Sequence, residues 1–70
     1  MAEIRAEMVA NVWRVLVSEG DAVEDGDTLV ILESMKMEIP VLAETGGVVA
    51  KLHVAEGDVV QEDELIAIID

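Results

Sequence analysis

The aliphatic residues of this chain come in short runs, and acidic or glycine-containing segments separate one run from the next. Short runs rich in Val, Ile and Leu between turn residues are typical of β-strands. The pattern predicts an all-β protein. Strands are predicted at 3–8, 11–17, 28–33, 38–43, 48–54 and 65–69, with short extended pieces at Val23 and 59–61. Turns are predicted at 19–21, 25–26, 45–47, 56–58 and 62–64.

The second half of the chain repeats the first half: residues 4–33 align with residues 41–70 without a gap, an offset of 37. Nine of the 30 aligned pairs are identical, and the clearest match is Val-x-Glu-Gly-Asp-x-Val at 17–23 and 54–60. Chance similarity between two Val- and Glu-rich segments is the alternative, but it does not explain why the Glu-Gly-Asp turns coincide in register. The repeat predicts two structurally equivalent halves.

Equivalent halves predict a pseudo-two-fold axis and fix the strand pairing. Strand 28–33 pairs with strand 38–43 across a hairpin, and the symmetry then pairs the last strand with the first. We expect a flattened β-barrel or sandwich of two four-stranded antiparallel sheets. Residues 1–70 are expected to form one domain, with repeat halves 4–33 and 41–70. The hairpin tip, residues 34–37, is expected at the end opposite the termini.

Alternation along strand 11–17 predicts which side chains face the core. The face of Trp13 is predicted to be buried and the face of Arg14 exposed. A second expectation concerns the turns: because Asp63 stands where the first half has Gly26, the turn at 62–64 is expected to differ from its counterpart. The predicted buried set is Trp13, Val15 and Val17 with their equivalents Ala50, Leu52 and Val54; the predicted exposed set is Arg14, Leu16, Lys51 and His53.

The charge balance limits the partners that the chain can bind. There are 16 acidic and 4 basic residues, a net charge of -12, so the phosphates of nucleic acids and anionic lipids would be repelled. There is no cysteine for disulfides or thiolate metal sites. No signal-peptide core and no apolar run near the roughly 20 residues of a membrane helix is present. We therefore expect a cytoplasmic protein with no membrane partner, complete as one domain and monomeric when free.

Catalytic and metal centres are not expected. His53 is the single histidine, and its predicted outward position favours a solvated side chain. The acidic run Glu62-Asp63-Glu64 lacks the ligand spacing of a known Ca²⁺ loop and is typical of a solvated turn. No Ser-His-Asp set or phosphate loop is present. A barrel of this size with a packed core is expected to leave no room for a substrate pocket, so we expect a protein that is not an enzyme.

The predicted hairpin tip has an unusual composition for a surface turn. The segment Glu-Ser-Met-Lys-Met-Glu occupies residues 33–38, where Gly, Asn or Asp would be usual. A lysine at a tip is accessible, and its amine is a nucleophile once it loses a proton. Because carboxylates flank it, Lys36 is predicted to be a substrate of another enzyme and not a catalyst. A plain solvated lysine, with Met35 and Met37 packed beneath the turn, is the alternative.

This tip, together with the repeat, resembles the biotinyl/lipoyl domain family over the whole chain. In the biotinyl branch the modified lysine lies between two methionines, as Lys36 does; the lipoyl branch commonly has an acidic residue before the lysine and Ala or Val after it. One departure is the segment 7–10, Glu-Met-Val-Ala, where the family often has Pro-Met-x-Gly. The resemblance implies a barrel-sandwich hybrid fold and covalent biotin on Lys36, with lipoate as the less favoured cofactor. The implied recognition residues are Met35, Met37, Glu33, Glu38 and Ser34.

The resemblance also implies a function, that of a stand-alone carrier protein of the biotin carboxyl carrier type. A biotin protein ligase would join the Lys36 amine to biotinyl-adenylate. The biotin would then shuttle a carboxyl group between a biotin carboxylase and a carboxyltransferase, typically to an acyl-CoA. An unmodified interaction module whose methionine-rich tip binds a groove remains as an alternative.

Overall fold

The computed structural model describes residues 1–70 and confirms the all-β prediction. It contains eight strands and no helix, so it has no helical segment that could cross a membrane. The first strand ends earlier than predicted, at Arg5, because the chain there leaves one sheet to join the other. The strands are β1 (Ala2–Arg5), β2 (Ala10–Val15), β3 (Ala22–Val23), β4 (Thr28–Ser34), β5 (Met37–Leu42), β6 (Gly47–Leu52), β7 (Val59–Val60) and β8 (Leu65–Ile69).

The strands form two four-stranded antiparallel sheets, ordered β1-β8-β6-β3 and β5-β4-β2-β7. The offset of 37 carries β1, β2, β3 and β4 onto β5, β6, β7 and β8, so the two sheets have the same strand order. The predicted pairing of the first and last strands is confirmed, with Ala2 opposite Ile69. The same offset moves the tip, residues 34–37, past the last residue, Asp70, so the repeat contains no second copy of the tip. The two chain ends lie at the position that the pseudo-two-fold symmetry makes equivalent to the tip.

The core lies between the sheets and follows the repeat. All 15 buried residues are apolar, and none of the buried side chains is polar or charged. The repeat therefore supplies matched core positions, and because each sheet takes two strands from each half, both halves contribute to one core. The pairs buried in both halves are Ala6/Ala43, Val12/Val49, Val23/Val60, Leu29/Ile66, Val30/Ala67 and Leu32/Ile69.

A β-bulge makes the predicted inward position of Trp13 wrong, whereas the predicted outward set is exposed as expected: Arg14, Leu16, Lys51 and His53. Val12 lies opposite Leu32 and Arg14 lies opposite Ile31, so Trp13 is an extra residue in the ladder. Val12 is buried, whereas Trp13 is 41% exposed, with the Arg14 guanidinium 4.9 Å from the centre of its ring. The repeat places a second irregularity between Val49 and Lys51 of β6. Of the predicted inward set, only Val54 is buried; Val15, Val17, Ala50 and Leu52 are half-buried.

The Glu-Gly-Asp turns hold the two halves together through their carboxylates. An Asp21 oxygen accepts a hydrogen bond from the Ser18 backbone N–H at 2.8 Å and closes its own turn. Glu19 reaches the other half and accepts from the Leu52 N–H at 3.0 Å. The carboxylates of the repeated Glu-Gly-Asp segments therefore stabilise the fold. The equivalent bonds are Ala55 N–H to Asp58 at 2.9 Å and Val15 N–H to Glu56 at 3.1 Å.

The turn at 61–64 keeps the conformation of its counterpart, so the expected difference is not found. Asp63 has a φ of 70° and Gly26 has a φ of 93°. Both values lie in the left-handed region, which Asp enters more readily than most residues with a Cβ. The backbone N–H of Asp63 also donates to the Ala6 carbonyl at 2.7 Å, which ties this turn to the chain after β1.

Candidate functional site: the hairpin tip

A two-residue turn joins β4 and β5 and places Lys36 at its apex. Ser34 pairs with Met37, and only Met35 and Lys36 lie between them. Their φ values of 52° and 66° are both positive, as in the type I′ turns of tight hairpins. Asn and Gly usually occupy such positions, because a residue with a Cβ loses roughly 1–2 kcal/mol in this conformation. The hairpin thus keeps two unfavourable residues at its tip, which is a common feature of functional sites.

The tip side chains are accessible. Met35 is 90% exposed and Met37 is 65% exposed, and Lys36 is also exposed. The one salt bridge in the structure joins Arg5 to Glu3, and no side-chain hydrogen bond involves Lys36. The alternative in which both methionines pack beneath the turn disagrees with these exposures. The amine of Lys36 is free for another protein to reach.

The residues beneath the apex form two rungs of the hairpin. Glu33 lies directly opposite Glu38, and both are exposed. Like charges directly opposite each other destabilise a strand pair, so this acidic pair is not there to strengthen the hairpin. The next rung pairs buried Leu32 with half-buried Ile39 and anchors the hairpin to the core. Ser34, half-buried, lies beside the turn.

The other predicted polar residues do not gather into a centre. His53 is exposed, as predicted from its parity, and so are Glu62, Asp63 and Glu64. No group of His, Cys, Asp and Glu residues has the arrangement needed to hold a metal ion. Asp63 contributes its backbone carbonyl, which accepts a hydrogen bond from Arg5 Nη1 at 2.8 Å. The acidic run is therefore part of a turn and of its contacts.

A groove of about 280 Å³ lies between β1 and β5, the edge strands of the two sheets. We call it the β1–β5 groove. The expectation that a small packed barrel leaves no room for a pocket is wrong at this surface, because the cavity lies where two sheet edges meet and not in the core. The repeat identifies both strands but gives no measure of the gap between them. The apolar side chains that line the groove are Ile4, Met8, Leu32, Ile39, Val41 and Leu42.

A pseudo-symmetric all-β sandwich with an exposed lysine at a hairpin tip is the arrangement expected of a carrier domain. The family model described as "Biotin-requiring enzyme", of the biotin/lipoyl family, matches residues 2–69. The chain belongs to the biotin/lipoyl family, and the resemblance seen in the tip and the repeat is confirmed.

Relatives and solved structures agree with this assignment. The chain is 61% identical over 70 residues to the "Biotinylated protein TB7.3 homolog" of Mycobacterium leprae, covering 99% of each chain. It is 43% identical over 63 residues to the "Biotin/lipoyl attachment protein" of Bacillus subtilis, covering 90% of this chain and 86% of that protein. The crystal structure of Kluyveromyces lactis urea carboxylase matches 99% of this chain with a TM-score of 0.92 and 35% identity, and the match covers 6% of that larger chain.

Proposed function

We propose that this biotin carrier bears its biotin as an amide on Nζ of Lys36. The observation that supports this site most directly is the exposed Lys36, without a salt bridge or side-chain hydrogen bond, at the apex of the hairpin between two exposed methionines. The open surroundings fit an attached group, because a substituent on Nζ would extend into solvent without displacing any side chain. Lys51, the other lysine, lies within β6 and offers no such apex.

The chain contributes a nucleophile, a position and a recognition surface. In the site of a biotin protein ligase, Nζ of Lys36 loses a proton to a base and attacks the activated carboxyl carbon of biotin. A C–N bond forms, and the bond to the adenylate leaving group breaks. When bound, biotin supplies a ureido nitrogen that can carry a carboxyl group. The carrier then holds the cofactor at a high effective concentration in the enzymes with which it assembles.

The proposed partners are a biotin protein ligase and the biotin carboxylase and carboxyltransferase of a biotin-dependent carboxylase. The support is the near-complete superposition on a domain of urea carboxylase. Transfer to an acyl-CoA is the proposed use, and the support is 39% identity over 64 residues to the "Biotin-dependent acyl-coenzyme A carboxylase alpha3 subunit" of Mycobacterium leprae, of which the match covers 11%. Because residues 1–70 contain one symmetric core, we propose that they act as one monomeric unit. We place the protein in the cytoplasm, where ATP for adenylation is available.

Intact mass of the purified protein tests the proposal against its alternatives. Co-expression with a biotin ligase and a lipoate ligase is expected to raise the mass by one biotinyl amide, because methionine follows the lysine. A lipoyl increment would assign the chain to lipoate instead. A protein that stays unmodified while both ligases modify a reference acceptor would show that the tip is a plain interaction surface.

The double variant Met35→Gln/Met37→Gln is expected to load biotin more slowly at nearly unchanged stability, because glutamine is unbranched at Cβ and tolerates the positive φ of residue 35 as well as methionine does. Lys51 has the same amine, so specificity must come from the tip, where exposed thioethers give partners a flexible apolar surface. Exposed residues contribute within about 0.5 kcal/mol to stability, whereas buried methionines contribute about 2–5 kcal/mol. Urea unfolding and the rate of ligase-catalysed labelling measure the two effects. A variant that unfolds several kcal/mol more easily while its folded fraction loads normally would make the methionines core residues.

A further inference from the structure

The β1–β5 groove begins close to the proposed attachment lysine. The end of the groove nearest the hairpin tip is lined by Ile39 and Leu32. These two residues are cross-strand partners, two residue pairs below the turn. Ile39 follows Lys36 by three residues, about 10 Å along an extended strand. The arm made by a lysine side chain and a biotin acyl chain has about ten covalent bonds near 1.5 Å and spans on the order of 12 Å. A ring at the end of that arm can therefore enter the groove.

The residues that line the groove do not follow the pseudo-two-fold symmetry, and the additional apolar ones lie toward the hairpin of Lys36. The groove crosses the pseudo-two-fold axis, since Ile4 and Val41 line it and are equivalent in the repeat. Ile39 also lines it, but its equivalent, Ala2, does not. Met8 lines it, and the equivalent position is Thr45, outside the groove. The apolar surface is thus extended beyond what the symmetry requires, toward the hairpin that carries the lysine.

The polar residues of the groove match the polar groups of a ureido ring. Such a ring has two N–H donors and one carbonyl acceptor on one edge and an apolar thioether ring on the other. Glu7 and Glu44 line the groove with carboxylates that accept no hydrogen bond from the chain, and Arg5 supplies guanidinium donors. The guanidinium of Arg5 is charged at physiological pH in any case, and its hydrogen bond to Glu3 raises its pKa further. The apolar lining would receive the thioether edge.

From this lining, its reach from Lys36 and its polar rim, we propose that the β1–β5 groove is a resting site for the bicyclic ring of biotin attached to Lys36. The inference rests on the proposed function. The tip and the groove then have separate roles: partner enzymes bind the exposed methionines, and the groove holds the ring while the carrier is free. The ring is available to a partner only for the fraction of time that it spends outside the groove.

Methyl NMR of the fully biotinylated protein tests this directly. Intact mass first establishes that one biotin is present on each chain. Nuclear Overhauser contacts are then expected between the ring protons and the methyl groups of Ile39, Val41 and Leu42. The Met8 methyl signal is expected to shift on biotinylation, whereas that of Met1, 89% exposed and outside the groove, stays unchanged. Changes confined to residues 33–38 would overturn the resting site.

Paired variants separate the groove from general surface effects. Leu42→Glu places a charge in the groove, and Val48→Glu places one on a strand residue outside it; both residues are 44% exposed. If the ring is docked about 90% of the time, Leu42→Glu is expected to speed streptavidin capture by up to about tenfold, because only the free fraction reacts. Val48→Glu is expected to match the unsubstituted protein. Equal capture rates in all three would contradict the proposal.

A second groove variant keeps the test valid if Leu42→Glu fails to fold. Met8→Thr introduces the residue that the repeat has at the equivalent position, Thr45, and it is also expected to speed capture and to weaken the ring contacts. A chain that receives no biotin would overturn the proposed function and the resting site together. A chain that is fully biotinylated but shows neither ring contacts nor faster capture in the groove variants would overturn the resting site alone.

Discussion

Lys36→Arg is expected to abolish biotin attachment completely while the fold stays intact. Arginine keeps the positive charge and a long side chain, but its guanidinium stays protonated and offers no free amine to an activated carboxyl group. Because the residue is exposed and has no hydrogen bond or salt bridge to lose, the free energy of unfolding should change by no more than about 0.5 kcal/mol. Streptavidin blotting and intact mass after co-expression with a biotin ligase measure the loss.

Lys51→Arg is the matched control for this experiment. Lys51 is exposed in β6, and the equivalent position in the first half is occupied by Arg14, so the fold already accepts arginine there. This variant is expected to load biotin as fully as the unsubstituted protein. If the streptavidin signal persisted in folded Lys36→Arg and disappeared in Lys51→Arg, Lys51 in β6 would be the attachment site. The proposal that biotin is attached at the hairpin tip would then be wrong.

Leu29→Ala is expected to lower the free energy of unfolding by about 2–5 kcal/mol, as truncation of a fully buried leucine does elsewhere. Leu29 is 0% exposed, and the loss is large for a chain of this length, whose total stability at 0.05–0.15 kcal/mol per residue is roughly 4–10 kcal/mol. Its equivalent Ile66 is also 0% exposed, so Ile66→Ala is expected to cost a similar amount. The double variant is expected to be largely unfolded at room temperature.

Urea unfolding of the single variants measures these losses. Val48→Ala is the control, since Val48 lies on a strand but is 44% exposed, and its change should stay within about 0.5 kcal/mol. A loss below about 1 kcal/mol for Leu29→Ala would contradict a tightly packed core. A large loss at Leu29 with almost none at Ile66 would show that the two halves are alike in backbone but not in packing.

The sequence alone determined the strands, their pairing and the tip. Alternating aliphatic runs and turns identified every strand, because this information is local to each segment. The repeat supplied the long-range information: once 28–33 pairs with 38–43, the offset of 37 requires the last strand to pair with the first, as Ala2 and Ile69 do. Lys36 was singled out by composition, since a hairpin tip has little reason to hold a lysine between two methionines.

The tertiary structure alone decided which way Trp13 points and where the groove lies. Alternation assumes that every residue advances the ladder by one step, and the bulge at Trp13 breaks that assumption, so Val12 and not Trp13 is buried. The sequence predicted only a turn at each Glu-Gly-Asp segment. The structure shows in addition that Glu19 accepts a hydrogen bond from the Leu52 N–H in the other half. The β1–β5 groove depends on how far apart two sheet edges pack. That distance is set by the whole core, and no segment of the sequence encodes it locally.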